Sequence, residues 1–257
     1  MKNTGLALGV ILAAMALSAT PGWATIIDHF DAGAYTRLAL KGVDGATATT
    51  GNTAVADVLG GYRNVILTLI DAGSTTQYSF SELAIALPSL HQLDWDNNDG
   101  NRSTLEVQYF GAGGAGFAAT DLTAGGANTY WLFDYGNWAT GDAWERVTIK
   151  AYSSATAYTT WQMNLKNTPS GSGGNAIIPF SAYVSQTGGG ANLAAVTKLD
   201  YLFDMTPSLS GGMNYSFDAF ETGTPEPATM ALLATGAVAS LVMRRRQQQR
   251  RAGRLPS

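Results

Sequence analysis

Residues 104–110 read TLEVQYF, and the reading of this stretch decides the fold. In an extended chain Leu105, Val107 and Tyr109 point to one side while Glu106 and Gln108 point to the other. That two-residue period belongs to a strand with one buried face. The same alternation returns where Tyr215, Phe217 and Ala219 oppose Ser216 and Asp218. Residues 64–70, NVILTLI, are apolar on both sides, which predicts a central strand. Working outward, strands are expected at 26–30, 35–40, 63–70, 78–83, 104–110, 129–135, 144–152, 160–165, 179–184, 198–204 and 214–220. Clusters of Gly, Asn, Asp and Thr separate them, and the 30 glycines suit turns that need positive φ. No long segment keeps a 3.6-residue period. Many short strands with no helix predict an all-β fold, a two-sheet β-sandwich.

The two ends of the chain are different in kind. Residues 228–243 are uncharged and rich in Ala, Leu, Val and Met, and Arg244, Arg245 and Arg246 follow at once. As a helix this stretch would cover roughly 24 Å, against a hydrocarbon core of about 30 Å. A single short transmembrane helix is expected. Its arginines would stay on the cytoplasmic side and leave everything before residue 225 on the other. Pro225 and Pro227 mark where that helix begins, because proline is excluded from a helix interior. At the other end Lys2 precedes an apolar stretch from Leu6 to Ala19, and small residues at Gly22 and Ala24 fit a signal-peptidase site before Thr25. The expected organisation is a signal peptide at 1–24, a β-sandwich ectodomain at 25–221, and a sorting segment at 222–257.

The order Pro225-Glu226-Pro227, apolar helix, arginine cluster resembles the PEP-CTERM signal of Gram-negative bacteria. The resemblance covers about the last 33 residues. It implies that a membrane-embedded transpeptidase, an exosortase, processes the protein near Pro-Glu-Pro after transient anchoring in the inner membrane. The destination would be the cell surface or the medium. It also implies an association with exopolysaccharide and biofilm formation.

Setting both ends aside changes the charge. Seven of the 15 basic residues and one of the 19 acidic residues lie in the terminal segments, leaving the body with 8 and 18 and a net charge near −10. Such a body is a poor partner for nucleic acid, whose affinity comes largely from Lys and Arg on phosphates. The chain has no cysteine, so disulfides, thiolate catalysis and cysteine-ligated metals are excluded. Within the sandwich class, the opening IIDHFD at 26–31 and the closing segments at 191–204 and 215–220 resemble carbohydrate-binding-module-like ectodomains of jelly-roll type.

Several stretches carry candidate chemistry. GAGGAG at 111–116 matches a dinucleotide-binding pattern but opens no helix, so a flexible hairpin loop is expected. DWDNNDGN at 94–101 concentrates oxygen ligands, Asp94, Asp96 and Asp99 among them. It reads either as an Asn/Asp-Gly turn or as a Ca²⁺ loop, though not in EF-hand register. The jelly-roll resemblance implies a second structural Ca²⁺ position, with Asp28 or Asp31 sharing an ion with Asp218. Only His29 and His91 could serve as neutral-pH bases, and neither sits in a nucleophile motif. Glu82, Glu106 and Glu145 are mid-strand carboxylates, but 18 acids in the body supply such pairs by number alone. No enzyme is expected. Six aromatics fall between 130 and 144. Alternation assigns Trp131 and Phe133 to the core, while Trp138, with Tyr135, could offer a ring to a sugar. The expected function is a non-enzymatic, exported glycan-binding protein of the exopolysaccharide matrix. An inert structural or adhesive matrix component is the alternative.

Overall fold

The computed structural model describes residues 24–41, 43–72, 80–85, 92–97, 100–137, 145–165, 172–206 and 213–224. The signal peptide, the transmembrane helix, Trp138, Asp99 and the motif residues from Pro225 onward lie outside them. Among the described residues no helix is long and apolar enough to cross a membrane. The strands fall within one compact unit, Trp23–Gly223.

They are β1 (Thr25–Asp28), β2 (Thr36–Lys41), β3 (Thr47–Thr49), β4 (Thr53–Ala54), β5 (Tyr62–Asp71), β6 (Phe80–Ile85), β7 (Leu93–Asn97), β8 (Arg102–Phe110), β9 (Tyr130–Asn137), β10 (Glu145–Tyr152), β11 (Tyr158–Leu165), β12 (Ser172–Pro179), β13 (Tyr183–Thr187), β14 (Lys198–Asp204) and β15 (Met213–Gly223). They form two sheets. Sheet A runs β12-β9-β15-β7-β6-β2, with β1 added to β15. Sheet B runs β13-β11-β10-β14-β8-β5-β3, with β4 added to β5. The all-β, two-sheet sandwich predicted from alternation is the fold observed.

The alternation places the core. Leu105, Val107 and Tyr109 of β8 face inward with no exposure, as do Val65, Leu67 and Leu69 of β5. The other phase of β5 is half-buried, so this central strand is inner-apolar and outer-mixed, not covered on both faces. Aromatic side chains dominate the space between the sheets. Tyr201 stacks on Phe220 at 4.3 Å between ring centroids, Phe203 lies 4.4 Å from Phe217, and Trp131 meets Trp161 edge-on at 5.1 Å. Each such pair adds about 0.5–1.5 kcal/mol beyond the area it buries. No disulfide assists this core.

One corner is held by polar groups. Arg63 of β5 donates to Asp28 of β1 at 2.7 Å, and its guanidinium sits 5.3 Å from the centre of the Phe30 ring. Tyr109 donates to the same carboxylate oxygen at 3.0 Å, and the Phe30 amide donates to the other at 2.8 Å. This cluster joins the two sheets through charge-assisted bonds. A second knot ties the first strand of the sandwich to the last. Asn128 donates to Thr25 Oγ1, Thr222 Oγ1 and the Leu122 carbonyl, so the first strand is fixed beside the last.

Four further expectations are corrected. Residues 94–97 belong to β7, because Leu93, Trp95 and Asn97 alternate inward and only the aspartates face out. The segment expected as one strand at 179–184 is a corner: Pro179 ends β12, the Ala182 amide returns to the Pro179 carbonyl at 2.9 Å, and β13 starts at Tyr183. β15, expected at 214–220, runs from Met213 through Gly223. The glycine run at 111–116 is a loop, but it crosses from sheet B to sheet A and does not close a hairpin.

Candidate functional site

Strand register builds a surface on the outer side of sheet B that no single segment announces. Outward positions of five strands line up in one row across the sheet. Tyr62 of β5 pairs with Phe110 of β8, Lys198 of β14 pairs with Tyr152 of β10, and Tyr152 pairs with Tyr158 of β11. Side chains join what the ladder leaves open. The Lys198 ammonium lies 4.7 Å from the ring centres of both Phe110 and Tyr152. The rings of Tyr152 and Tyr158 are 5.2 Å apart at 42°. With neighbouring strands ~4.8 Å apart, the row from Tyr62 to Tyr158 extends about 19 Å.

A polar row runs beside it: Asn64, Gln108, Asp200, Lys150 and Thr160, each the register partner of the next. Asn64 donates to Gln108 at 2.9 Å, and Gln108 donates to Glu106 at 2.6 Å. Lys198 lies 3.1 Å from Asp200 Oδ2, and Tyr152 hydrogen-bonds the same side chain. Burial pushes the Asp200 carboxyl above the usual range, with Lys198 opposing. Burial, followed by the charge of Asp200, likewise raises the Tyr152 phenol, which stays protonated at neutral pH. Asp200 Oδ1 and Thr160 Oγ1 are buried without a hydrogen-bond partner among the described residues. Buried polar atoms are rarely left so, because each costs free energy until a partner arrives.

The sequence-predicted residues are distributed otherwise. Tyr135, expected to stack on a sugar, is only 7% exposed and packs inward against Phe133 and Tyr215. Its ring also covers Gly174, where an added Cβ would meet it at 2.8 Å. Asp28 does not fit a Ca²⁺ site: its carboxylate is 1% exposed and engaged by Arg63, Tyr109 and the Phe30 amide. Asp218 faces outward and does not meet it. Asp31 is exposed beside a cleft of roughly 580 Å³ that His29 and Asp57 also line, and His29 lies 3.3 Å from Glu221.

Asp94, Asp96 and Asp218 do come near one another, on the outer side of sheet A, and Asp134 joins them. Among the described residues no group of three or more acidic or histidine side chains is disposed to hold a metal ion. Burial, and then the charge of Asp218, raises the carboxyls of Asp94 and Asp134, although a hydrogen bond from Gln92 opposes this at Asp94. A carboxyl with a raised native pKa is bound more tightly by its proton in the folded state. Stability is therefore lost as pH rises from the unfolded carboxylate range through the raised native value. Asp94→Asn is expected to raise the midpoint of thermal unfolding at pH 7 and to reduce the difference between pH 7 and pH 4. An unchanged difference would contradict this.

The fold and site together define an all-β sandwich with an aromatic and polar outer sheet face. At its C-terminal end, positions 224–246 match the PEP-CTERM protein-sorting motif, Pro225, Glu226, Pro227 and the three arginines included. No curated protein sequence matches the chain. Among solved structures, the chain is similar to a family 11 carbohydrate-binding module from Clostridium thermocellum in complex with a β-1,3-1,4-mixed-linked tetrasaccharide. That match has a TM-score of 0.39 and 11% identity, covering 80% of this chain and 97% of that one. A family 11 module solved in solution gives a TM-score of 0.40 at 15% identity, with 81% and 99% covered. A family 30 carbohydrate-binding module gives 0.37 at 14%, with 73% and 99% covered.

Proposed function

We propose that the chain is an exported surface protein whose sandwich binds a glycan, without catalysis, on the outer face of sheet B. One observation carries the reading: the row Tyr62, Phe110, Tyr152, Tyr158, interrupted only by Lys198 and flanked by Asp200, Lys150, Gln108 and Asn64. Aromatic faces take the apolar C–H side of a sugar ring, and polar groups placed beside them fix its hydroxyls.

The PEP-CTERM motif supports the destination. Signal peptidase would release Thr25, the C-terminal helix would hold the chain in the inner membrane, and an exosortase would act near Pro225–Pro227. The glycan would then be the exopolysaccharide of the cell surface or biofilm. Mass spectrometry of the cell-surface and secreted protein is expected to find a form that starts at Thr25 and lacks the arginines. Purified exopolysaccharide should retain that form. Full-length protein in the cytosol, uncut at both ends, would contradict the export reading. A processed form that exopolysaccharide fails to retain would contradict the glycan reading alone.

A further inference from the structure

The two flanks of the sandwich are protected unequally. At one flank sheet A ends in β2, which carries Arg37 and Lys41, and sheet B ends in β3, only 3 residues long. Short edges and charged edges are the usual defences against pairing with another chain. At the opposite flank the edges are β12 and β13. Residues 167–197, which include both strands, contain no Asp, Glu, Lys, Arg or His. This is the longest uncharged run in a body that otherwise carries 26 charged residues.

All 5 residues of β13 are exposed. Tyr183 is 49% and Val184 54% exposed, and Ile177 of the adjoining β12 is 42% exposed. Proline stands only at the end of β12, and β13 has none. On its inner side β13 pairs with β11, with one bulge at Val184 where the register steps from Ser185–Thr160 to Tyr183–Trp161. Among the described residues no strand pairs with its outer side.

We propose that β13 is an interface for a second copy of this chain, the two strands pairing antiparallel about Ser185. Three features select a second copy. In that register Ser185 faces Ser185 and Gln186 and Thr187 run past the bulged Val184 and Tyr183, so no charge faces a like charge. Two bodies near −10 repel over most of their surfaces, and this flank is where they can approach without opposed carboxylates. A two-fold axis through an antiparallel pair stands perpendicular to the sheet, so the outer faces of both sheets B end on the same side. The two aromatic rows would then address one surface together, which raises the avidity of each.

The absence of cysteine allows a direct test on the full-length chain. Directly opposed residues of an antiparallel pair have Cα atoms about 4.5–5.5 Å apart, within the span a disulfide accepts. Ser185→Cys, treated with a mild oxidant, is expected to give a reducible dimer. Gln162→Cys, exposed on β11 behind the edge, is expected to remain largely uncrosslinked and controls for proximity imposed by a membrane. Adding Val184→Lys to Ser185→Cys should cut the dimer yield at least tenfold. Equal crosslinking at positions 185 and 162, or a dimer indifferent to Val184→Lys, would overturn the proposal. Exopolysaccharide is absent from this experiment, so its failure would leave the glycan reading untouched.

Discussion

Asp28→Ala is expected to destabilise the sandwich by about 3–5 kcal/mol, the usual cost of breaking a buried ion pair from one side. The size follows from what remains. Arg63 is 4% exposed, and without Asp28 its guanidinium keeps only the Ala32 carbonyl at 3.3 Å and the face of Phe30. The Tyr109 hydroxyl loses its acceptor in a fully buried position, and the Phe30 amide loses its own. Phe30 is held at φ +55, so this amide is part of what fixes an uncommon backbone conformation. For a domain of this size the midpoint of thermal unfolding would fall by roughly 6–20 °C. The double variant Asp28→Ala with Arg63→Leu is expected to recover much of the loss, because the stranded charge is gone. Chemical denaturation of the three proteins measures this. A loss below about 1 kcal/mol in the single variant would show that the cluster is not what joins the sheets.

The strands that positioned this cluster were legible where alternation was clean. β8 was read directly from TLEVQYF, and its inward residues are fully buried. β7 was hidden by composition: LDWDN alternates as well as β8 does, but its aspartates and asparagines suggested a loop. Asn97 takes an inward position because Ser103 Oγ donates to its side-chain Oδ1 at 2.8 Å. β12 begins with Ser-Gly-Gly-Asn, which disfavours a strand on propensity. It is held by register with β9, where the Tyr135 ring fills the space that Gly174 leaves. The same packing removed Tyr135 from the candidate glycan residues.

The aromatic row could not be read from sequence, because its members lie on five strands and meet only through register. A partial clue was present. Phe110 shares its phase with Glu106 and Gln108, and Tyr152 shares its phase with Arg146, Thr148 and Lys150. An aromatic in the polar phase of a strand is aimed outward.

Tyr152→Ala is expected to weaken exopolysaccharide binding by about 2 kcal/mol, the scale of an aromatic hot spot, or roughly thirty-fold. Tyr152 stands between Lys198 and Tyr158 in the row. Its removal takes away a stacking face, one of the two rings that hold Lys198, and the phenol that bonds Asp200. Tyr152→Phe keeps the ring and loses the phenol, so an intermediate loss is expected. The side chain is half-buried on the outer face, and neither change should alter the core. Binding isotherms on the purified polysaccharide, with unfolding curves alongside, separate loss of the site from loss of the fold. Undiminished affinity in Tyr152→Ala would remove this residue from the site.

Covalent labelling of lysines with and without exopolysaccharide addresses the glycan face itself. Lys150 and Lys198 stand on the outer face of sheet B, whereas Lys41 is exposed on β2 at the far edge of sheet A. Bound polysaccharide should slow modification of Lys150 and Lys198 several-fold and leave Lys41 unchanged. Protection at Lys41 alone, or at none of the three while the polysaccharide is bound, would place the ligand elsewhere and contradict the assignment.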